Sequence, residues 1–343
     1  MSAVGNDAWG RLPAPQQLRI VRTLVQQRGP AWMKRWPALR ALGAGYRLRR
    51  KHDGSGALEV VREVCICFFV QRKWKTNRAH PLKLPSHVQA RPVLHGRRIA
   101  VRIPTDVEAL PSGGPQADAA NLTAGICVTS PGISPVLGSA CAVVKTADGA
   151  HHLLTCAHVV SRQLAQPSVG TICKTADQTP IGSVFDVASS TGDHAVDAVL
   201  VRIDDPAFRG ILQWGNRIQK RATPGDVAAL GMQGGLQVLV RKSVPLHGGN
   251  PEIRPEPMDA EFRCHIQYPM PLSYARIGGT TRVFAELIQY VANTRPGDSG
   301  AAVINQKGTL VGMHFWSGDN GTGYAIPAWA LFRPGTFKMR IAF

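Results

Sequence analysis

The chain has 343 residues, of which 44% are hydrophobic, and it carries a formal net charge of +18, so it can form two or three domains with a sizeable core. No apolar run approaches the roughly 20 residues of a membrane-spanning helix, and the first residues lack the pattern of a secretory signal. We therefore expect a cytoplasmic protein without a transmembrane segment. Its seven cysteines contain no CxxC pair, which argues against a disulfide framework and a metal site. No cofactor is predicted.

The positive charge is concentrated in the first third of the chain. Residues 1–105 contain 21 of the 40 Lys and Arg residues but only four acidic residues, whereas residues 106–343 are nearly neutral. A basic segment that also holds four tryptophans is compatible with nucleic acid, an anionic membrane surface or an acidic partner. It is equally compatible with a solvated surface that packs on the rest of the protein, and no nucleic-acid-binding motif separates these alternatives.

The first 110 residues predict a partly helical segment, 1–58, followed by a small α+β module, 59–110. Apolar side chains recur at helical spacing over 15–28, until a Gly-Pro pair ends the pattern. The basic residues 31–51 are predicted to continue as a second short helix. The sequence HDGSG at 52–56 is typical of a linker, and two strands are expected in the module that follows.

A second linker, PSGGPQADAAN at 111–121, is poor in apolar residues. Beyond it, short β-rich runs alternate with turn residues, and no long helical pattern occurs. Such spacing favours an all-β sandwich or a pair of β-barrels. Residues 122–343 are therefore predicted to form a mainly β domain.

Three polar residues of this domain stand in settings that suit a nucleophilic site. Ser299 lies in a Gly-Asp-Ser-Gly tetrapeptide, His158 ends the apolar run LLTCAHVV, and Asp197 precedes the apolar strand VDAVLVRI. Taken separately, each has an ordinary structural explanation. Together, in the order His, Asp, Ser, they indicate a catalytic triad, because a serine becomes nucleophilic when an acid-oriented histidine removes its proton. Asp193 and Asp186 are rival candidates for the acid.

The motifs TCAHV, DAVLV and GDSGAAV resemble those of the chymotrypsin/trypsin-like serine peptidases over about residues 122–335. The resemblance implies two antiparallel six-stranded β-barrels with a cleft between them. It also implies a serine endopeptidase that forms an acyl-enzyme on Ser299, with His158 transferring the proton and Asp197 orienting the imidazole. The backbone N–H groups of Gly297 and Ser299 would then bind the oxyanion.

By the same resemblance, Asn293 and Thr294 line one wall of the pocket for the residue before the cut, and His314 and Ser317 line the other. Asn293 stands where enzymes that cut after Lys or Arg carry an aspartate, so that specificity is not expected. Thr294, His314 and Ser317 are similar to the trio that binds a carboxylate in glutamate-specific endopeptidases. A Gly-Met-His arrangement also occurs in relatives that cut after Gln. The alternative is that His314 merely packs beside the pocket.

The sequence departs from the secreted members of this family in two ways. No Ile-Val-Gly-Gly-like start precedes the domain, so Asp298 is not expected to pair with a freed terminal amine. Cys141 and Cys156 do not occupy the usual disulfide positions and are expected to be core thiols. Two alternatives to an active peptidase stay open: a catalytically silent binding module of the same fold, and a protein that acts on nucleic acid or a membrane through its basic region.

Overall fold

The structure of the protein, a computed structural model, describes residues 8–72, 84–94, 96–111, 114–115, 138–160, 167–174, 180–188, 195–204, 218, 220–230, 236–241, 255–274, 280–294 and 297–343. Strands dominate these residues. None of the helices in this part of the chain combines the length and apolarity needed to cross a bilayer. The helices are Ala14–Arg35 (α1), Ala157–Val160 (α2), Val227–Leu230 (α3) and Ala328–Leu331 (α4).

The strands fall into two large sheets and two small hairpins. In chain order they are Leu39–Arg50 (β1), Leu58–Val70 (β2), His87–Ala90 (β3), Val93–Leu94 (β4), Arg97–Arg98 (β5), Val101–Ala109 (β6), Gly114–Pro115 (β7), Ala142–Thr146 (β8), His151–Thr155 (β9), Ile172–Lys174 (β10), Pro180–Val187 (β11), Val199–Ile203 (β12), Lys220–Arg221 (β13), Leu236–Arg241 (β14), Pro255–Ile266 (β15), Met270–Tyr274 (β16), Thr280–Phe284 (β17), Leu287–Val291 (β18), Ala302–Asn305 (β19), Thr309–Ser317 (β20), Thr322–Pro327 (β21) and Ile341–Ala342 (β22).

One of the two large sheets, called the first sheet below, contains six antiparallel strands in the order β10-β11-β12-β9-β8-β22. Strands β9 and β12 pair directly, with Thr155 opposite Val199. The end of β9 therefore lies beside the start of β12. This places His158, which follows β9, and Asp197, which precedes β12, at the same end of the sheet.

Six further antiparallel strands form a closed ring. The pairings run from β14 through β15, β18, β21, β20 and β19, and β19 pairs again with β14. Ring closure leaves no free sheet edge at these pairings. Ser299 lies in the connection from β18 to β19. The two six-stranded units agree with the mainly β fold that the resemblance implies.

The N-terminal strands extend the sheet of this ring. Strand β15 pairs with β14 over its first half, and its last three residues pair with β1. From there the sheet continues through β2 and β6 to β3, with β2 and β6 parallel. One apolar cluster contains Val21 and Val25 of α1, Phe68 of β2, and Ile288 and Val303 of the ring. The basic region is thus joined to the ring by both backbone pairing and apolar packing.

Two sequence-based expectations about this region are wrong. Helix α1 continues to Arg35 with Pro30 inside it, and residues 39–50 form β1 rather than part of a second helix. Pairing of β1 with β2 on one edge and β15 on the other overrides the helical propensity of its Ala, Leu and Arg residues. The HDGSG sequence at 52–56 connects β1 to β2 as a hairpin loop, so residues on both sides of the predicted boundary at 58 share one hairpin.

A buried charged cluster lies where the N-terminal sheet meets the ring. The Arg263 guanidinium on β15 is fully buried and lies 2.9 Å from the Asp106 carboxylate and 3.5 Å from that of Glu108. The amide of Gln289 donates to Glu108 at 3.0 Å and to the Tyr324 hydroxyl at 2.8 Å. These bonds connect β6 to three strands of the ring.

Candidate active site

His158 and Asp197 form a buried hydrogen-bonded pair at the end of the first sheet. His158 Nδ1 is 2.5 Å from Asp197 Oδ2, and the backbone N–H of His158 donates to Asp197 Oδ1 at 3.1 Å. Burial raises the pKa of Asp197, but the charge and hydrogen bonds of His158 outweigh burial and hold that pKa below its ordinary value. Asp197 is therefore ionised at neutral pH and fixes the proton of the imidazole on Nδ1.

The other ring nitrogen of this histidine is not held in the same way. His158 Nε2 is buried and makes no hydrogen bond within the described part of the chain. His152 Nε2 and His265 Nδ1 share this feature. In the pair, the carboxylate of Asp197 holds one ring nitrogen, and the other has no hydrogen-bond partner among the described residues.

Ser299 lies in a loop that is tied to the first sheet. Its carbonyl accepts the backbone N–H of Ser139 at 2.7 Å, and the Ser139 hydroxyl donates to the carbonyl of Gly297 at 2.9 Å. The Ser299 hydroxyl itself donates to the carbonyl of Phe315 on β20 at 3.4 Å. Gly297 has a φ of +98°, a left-handed conformation that residues with a side chain rarely adopt. The loop thus joins the two six-stranded units beside β20.

Three of the four predicted pocket residues form one hydrogen-bonded chain. His314 Nε2 is 3.3 Å from the Ser317 hydroxyl, which in turn contacts the Thr294 hydroxyl. His314 Nδ1 is 2.5 Å from the hydroxyl of Tyr290. Asn293 is exposed and takes no part in this chain.

The protons of this chain can be assigned from burial. Burial, together with the smaller electrostatic effect of the nearby His158, lowers the pKa of His314 to about 3. Burial also raises the pKa of Tyr290 well above its ordinary value. Tyr290 therefore stays protonated and donates to Nδ1, so that neutral His314 carries its proton on Nε2 and directs it to Ser317. The hydrogen-bonded chain of His314, Ser317 and Thr294 therefore contains an uncharged imidazole.

Tyr290 and Cys156 belong to the site but were not anticipated as functional residues. Tyr290 is a polar phenol within the apolar strand β18, a signal that burial would require a partner for its hydroxyl. Cys156 was expected only as a core thiol. It is buried, and its Sγ donates to the carbonyl of His314 at 3.3 Å.

Among the described residues, one group of potential metal ligands comes together. It consists of Cys156, His158 and Asp197, whose ligand atoms lie within 4.8 Å of one another. Burial, followed by the charge of Asp197, raises the pKa of Cys156 well above its ordinary value. A thiol binds a metal as the thiolate, and burial beside the charge of Asp197 disfavours the thiolate. The His–Asp hydrogen bond accounts for the geometry without a metal ion.

The other acids and thiols are not part of this pair. Asp186 accepts the backbone N–H groups of Val187 at 2.9 Å and Lys338 at 2.6 Å, which gives it a structural role near the C-terminus. Asp193 lies outside the described residues. Asp298 is buried next to Ser299. Cys141 is buried in the core, as the sequence predicted.

A protein-family model described as "Trypsin-like peptidase domain" matches residues 138–313, just over half of the chain. The chain is similar to the solved Rv3671c protease from M. tuberculosis in its active form (20% identity, 62% of this chain and 78% of that one, TM-score 0.35). It is also similar to the Nocardiopsis protease NAPase, with 17% sequence identity over 64% of this chain and 100% of that one, and a TM-score of 0.36. For the HtrA-type protease AlgW with a tripeptide, the identity is 20% over 64% of this chain and 62% of that one, and the TM-score is 0.34. No curated protein matches the chain.

Proposed function

Because the chain belongs to the trypsin-like peptidase family and is a serine endopeptidase, we propose that His158, Asp197 and Ser299 are its catalytic triad. The observation that carries the proposal is the buried His158–Asp197 pair, with Nδ1 held by the carboxylate and Nε2 left to accept a proton. Ser299 supports it by lying in the loop that joins the two six-stranded units. Catalytic hydrogen bonds are often formed only when substrate binds, so the bond from Ser299 to Phe315 is compatible with this role.

The mechanism follows from these positions. Ser299 Oγ attacks the carbonyl carbon of the substrate while His158 Nε2 removes the hydroxyl proton. The imidazolium is stabilised by ionised Asp197 and then protonates the departing amine, which leaves an ester on Ser299. A water molecule, deprotonated by His158, hydrolyses this ester. The backbone N–H groups of Gly297 and Ser299 are proposed to stabilise the oxyanion, a contribution of roughly 3–4 kcal/mol per donor in such enzymes.

The pocket is proposed to accept Gln or Glu before the cut. Neutral His314, together with the Ser317 and Thr294 hydroxyls, offers hydrogen bonds to a side-chain oxygen. A carboxylate enclosed without a positive charge pays a large desolvation cost, whereas a carboxamide does not. Gln is therefore favoured over Glu at neutral pH, and Tyr290 acts as a positioning residue that fixes the tautomer of His314.

Digestion of a peptide library by the full-length protein tests both parts of this proposal. Wild type is expected to cut after Gln, and more slowly after Glu, whereas Ser299→Ala is inactive. Ser183→Ala, a half-buried serine of β11, is the matched control and retains wild-type cleavage. Cleavage after Lys or Arg would contradict the pocket, and equal cleavage by Ser299→Ala would contradict the triad.

A substitution of Tyr290 tests its positioning role. In Tyr290→Phe, His314 loses the donor to Nδ1 and can adopt the other tautomer. We expect kcat/KM for a Gln substrate to fall roughly tenfold, which corresponds to about 1.4 kcal/mol, the contribution of one neutral hydrogen bond. For substrates that lack a side-chain oxygen, kcat/KM should change less. Equal losses for both kinds of substrate would assign Tyr290 a purely structural role.

A second proposal concerns the basic N-terminal region, where an anionic partner is supported by a groove of about 720 Å³. Arg28, Arg91, Arg98 and Arg102 line it. We expect the protein to bind a labelled oligonucleotide with a steep salt dependence, which weakens when Arg91, Arg98 and Arg102 are replaced by Gln. Phosphatidylserine vesicles form the second arm of the test. Unchanged binding of both probes would remove the groove from the proposal.

The organisation and location of the protein complete the proposal. We treat 111–121 as the linker between the basic region and the peptidase domain, 122–343. A reducing, cytoplasmic compartment is supported by six buried free thiols among the described residues.

A further inference from the structure

Strand β20 has two edges, and one of them faces the nucleophile. On one edge it pairs with β21 as far as Ser317. On the other edge it pairs with β19 as far as Met313. Beyond β19, this second edge meets the loop of Ser299, where the N–H of Gly300 donates to the carbonyl of His314 at 2.8 Å. A peptide that is to be attacked by Ser299 must therefore approach β20 along the second edge.

Strand β7 occupies the continuation of that edge. Gly114 lies opposite Ser317 and Pro115 opposite Trp316, in antiparallel register. Because β21 pairs with the same two residues of β20 on the first edge, β7 can only lie on the edge that faces Ser299. Ser317 is also a wall of the proposed pocket. A segment of the protein's own chain thus lies beside the nucleophile, in the extended form in which peptides add to sheet edges.

The backbone of β20 directs its polar groups to β7 at the position of Ser317. The N–H of the next residue, Gly318, donates to the carbonyl of Thr322 on β21 at 2.8 Å. In an antiparallel strand, the N–H and C=O of successive residues face opposite edges, so those of Ser317 point to β7. Its partner there, Gly114, has an N–H to donate, whereas Pro115 has none. Gly114 and Ser317 are therefore the hydrogen-bonded pair.

The N-terminal sheet holds β7 close to this position. Leu110 follows β6, and its N–H donates to the carbonyl of Val70, the last residue of β2, at 2.7 Å. A Cβ at Gly318 would lie 3.4 Å from the Cβ of Pro111, so the chain already passes the end of β20 there. Only two residues separate Pro111 from Gly114. A tether this short gives β7 a high effective concentration at the edge of β20.

We propose that β7 is an autoinhibitory strand, which covers the edge of β20 that a substrate must occupy. This inference rests on the proposed triad and pocket, and it concerns the regulation of that same site. The free enzyme divides between a covered and an open state, and a peptide substrate binds the open one. Because one hydrogen-bonded pair is weak, a peptide that makes more contacts along the edge can displace β7.

Intramolecular inhibition of this kind has a kinetic signature. A strand that competes with substrate raises KM in proportion to the covered fraction and leaves kcat unchanged. Gly114→Pro removes the N–H that pairs with Ser317. For a peptide with three residues before the cut, the last of them Gln, KM should fall roughly threefold to fivefold at constant kcat, the effect of one hydrogen bond. Gly114→Ala keeps the N–H and is the matched control, with the KM of wild type.

Hydrogen exchange, followed residue by residue by NMR, provides a measurement that needs no turnover. In Gly114→Pro the pair with Ser317 opens more often, so the Ser317 amide should exchange several-fold faster than in wild type. The Gly318 amide, which donates to Thr322 on β21, should exchange at the same rate in both proteins. Equal exchange of Ser317 in the two proteins would overturn the pairing on which the inference depends.

The kinetic outcomes separate this inference from the proposed function. If wild type cleaves the Gln peptide and Gly114→Pro has the same or a higher KM, β7 does not inhibit and the proposed function stands. A lower kcat in Gly114→Pro would make β7 part of the productive site and would also overturn autoinhibition. If neither protein cleaves the peptide or reacts with a fluorophosphonate, the proposed function itself fails, and the inference falls with it.

Discussion

The two buried charged clusters of this protein show how similar burial can serve different ends. Asp197 and Arg263 are both fully buried, and each has an oppositely charged or chargeable partner. The partner of Asp197 is a histidine, which can gain and lose a proton near neutral pH. Arg263 is permanently charged and is held between two carboxylates. The first cluster contains a group that can transfer a proton, and the second connects the N-terminal sheet to the ring through a permanent charge.

The two clusters can also be compared by the hydrogen bonds that their buried groups make. His158 Nε2 makes no hydrogen bond within the described residues. Glu108, in contrast, is engaged by both Arg263 and Gln289. Burial raises the pKa of Glu108, and the charge of Arg263 offsets only part of that effect. The junction also contains buried polar atoms without a hydrogen bond among the described residues, such as Arg263 Nε and Glu108 Oε2. It differs from the first cluster in that its cation, Arg263, does not release a proton.

The largest expected effect is on catalysis by the first cluster. Asp197→Asn should reduce kcat by about 10⁴-fold, because the amide no longer selects the productive tautomer of His158 or stabilises its charged form. Initial rates on a Gln peptide measure this loss. Asp186→Asn is the matched control, and its kcat should stay within twofold of wild type. If Asp197→Asn reduces kcat by less than tenfold, Asp197 is not the acid of the triad.

The next effect is on stability at the junction. Arg263→Ala leaves the Asp106 and Glu108 carboxylates without their cation, and the free energy of unfolding should fall by about 3–5 kcal/mol. Arg263→Met fills more of the same volume and should cost less. Urea denaturation followed by circular dichroism measures both variants. If Arg263→Ala unfolds at the wild-type urea concentration, the junction does not depend on this cluster.

A smaller effect is expected in the pH dependence of stability, through the buried imidazole of His314. Unfolded His314 binds a proton near pH 6.5, whereas the folded protein holds its pKa at about 3. Between these values the unfolded state binds more protons, so stability falls as the pH falls. The contribution is about 1.4 kcal/mol per pH unit.

The variant His314→Gln isolates this contribution. The slope of unfolding free energy against pH, measured between pH 6.5 and 5, should be shallower than in wild type by about that amount. Other histidines with lowered pKa values, His152 and His265, remain in both proteins and cancel in the difference. Identical slopes would show that His314 is not held neutral by the fold.

The smallest effect is expected at a charged pair without burial. Arg202 and Asp204 form an ion pair of 2.8 Å, but their side chains are 56% and 52% exposed. Arg202→Ala should change the free energy of unfolding by less than about 0.5 kcal/mol. A loss comparable to that of Arg263→Ala would mean that burial is not what distinguishes the clusters.

The contact between His158 and Asp197 agrees with the sequence-based prediction, whereas residues 39–50 form a strand where a helix was expected. His158, Asp197 and Ser299 were recognised because each stands in a distinctive local motif, and the structure brings His158 and Asp197 into contact. The triad as a catalytic unit stays a prediction. Tyr290 was missed because its partner, His314, lies on another strand and no local pattern identifies it.

The fold of residues 39–50 could not be derived from local propensity. Its Ala, Leu and Arg residues favour a helix, but two neighbouring strands provide hydrogen bonds on both edges. A Cβ at Gly45 would lie 2.1 Å from the carbonyl of Arg263, so only glycine permits this close approach. The glycines of this segment are compatible with a strand, but the close approach that they permit involves Arg263, which lies more than 200 residues away in the chain.

The pairing of Gly114 and Pro115 with β20 was hidden for a similar reason. A two-residue strand has no periodicity, and the linker was predicted from its Gly and Pro content alone. Long-range register is set by the partner strand and not by the segment itself. Only the folded chain places Gly114 and Pro115 beside Ser317 and Trp316.

The site of covalent modification by a fluorophosphonate tests the central claim most directly, because such probes react with activated serines. Peptide mapping of the labelled full-length protein should find one adduct, on Ser299, and none on the protein with His158→Ala. An adduct on another serine, or equal labelling of Ser299 without His158, would contradict the account of this protein as a peptidase that acts through these residues.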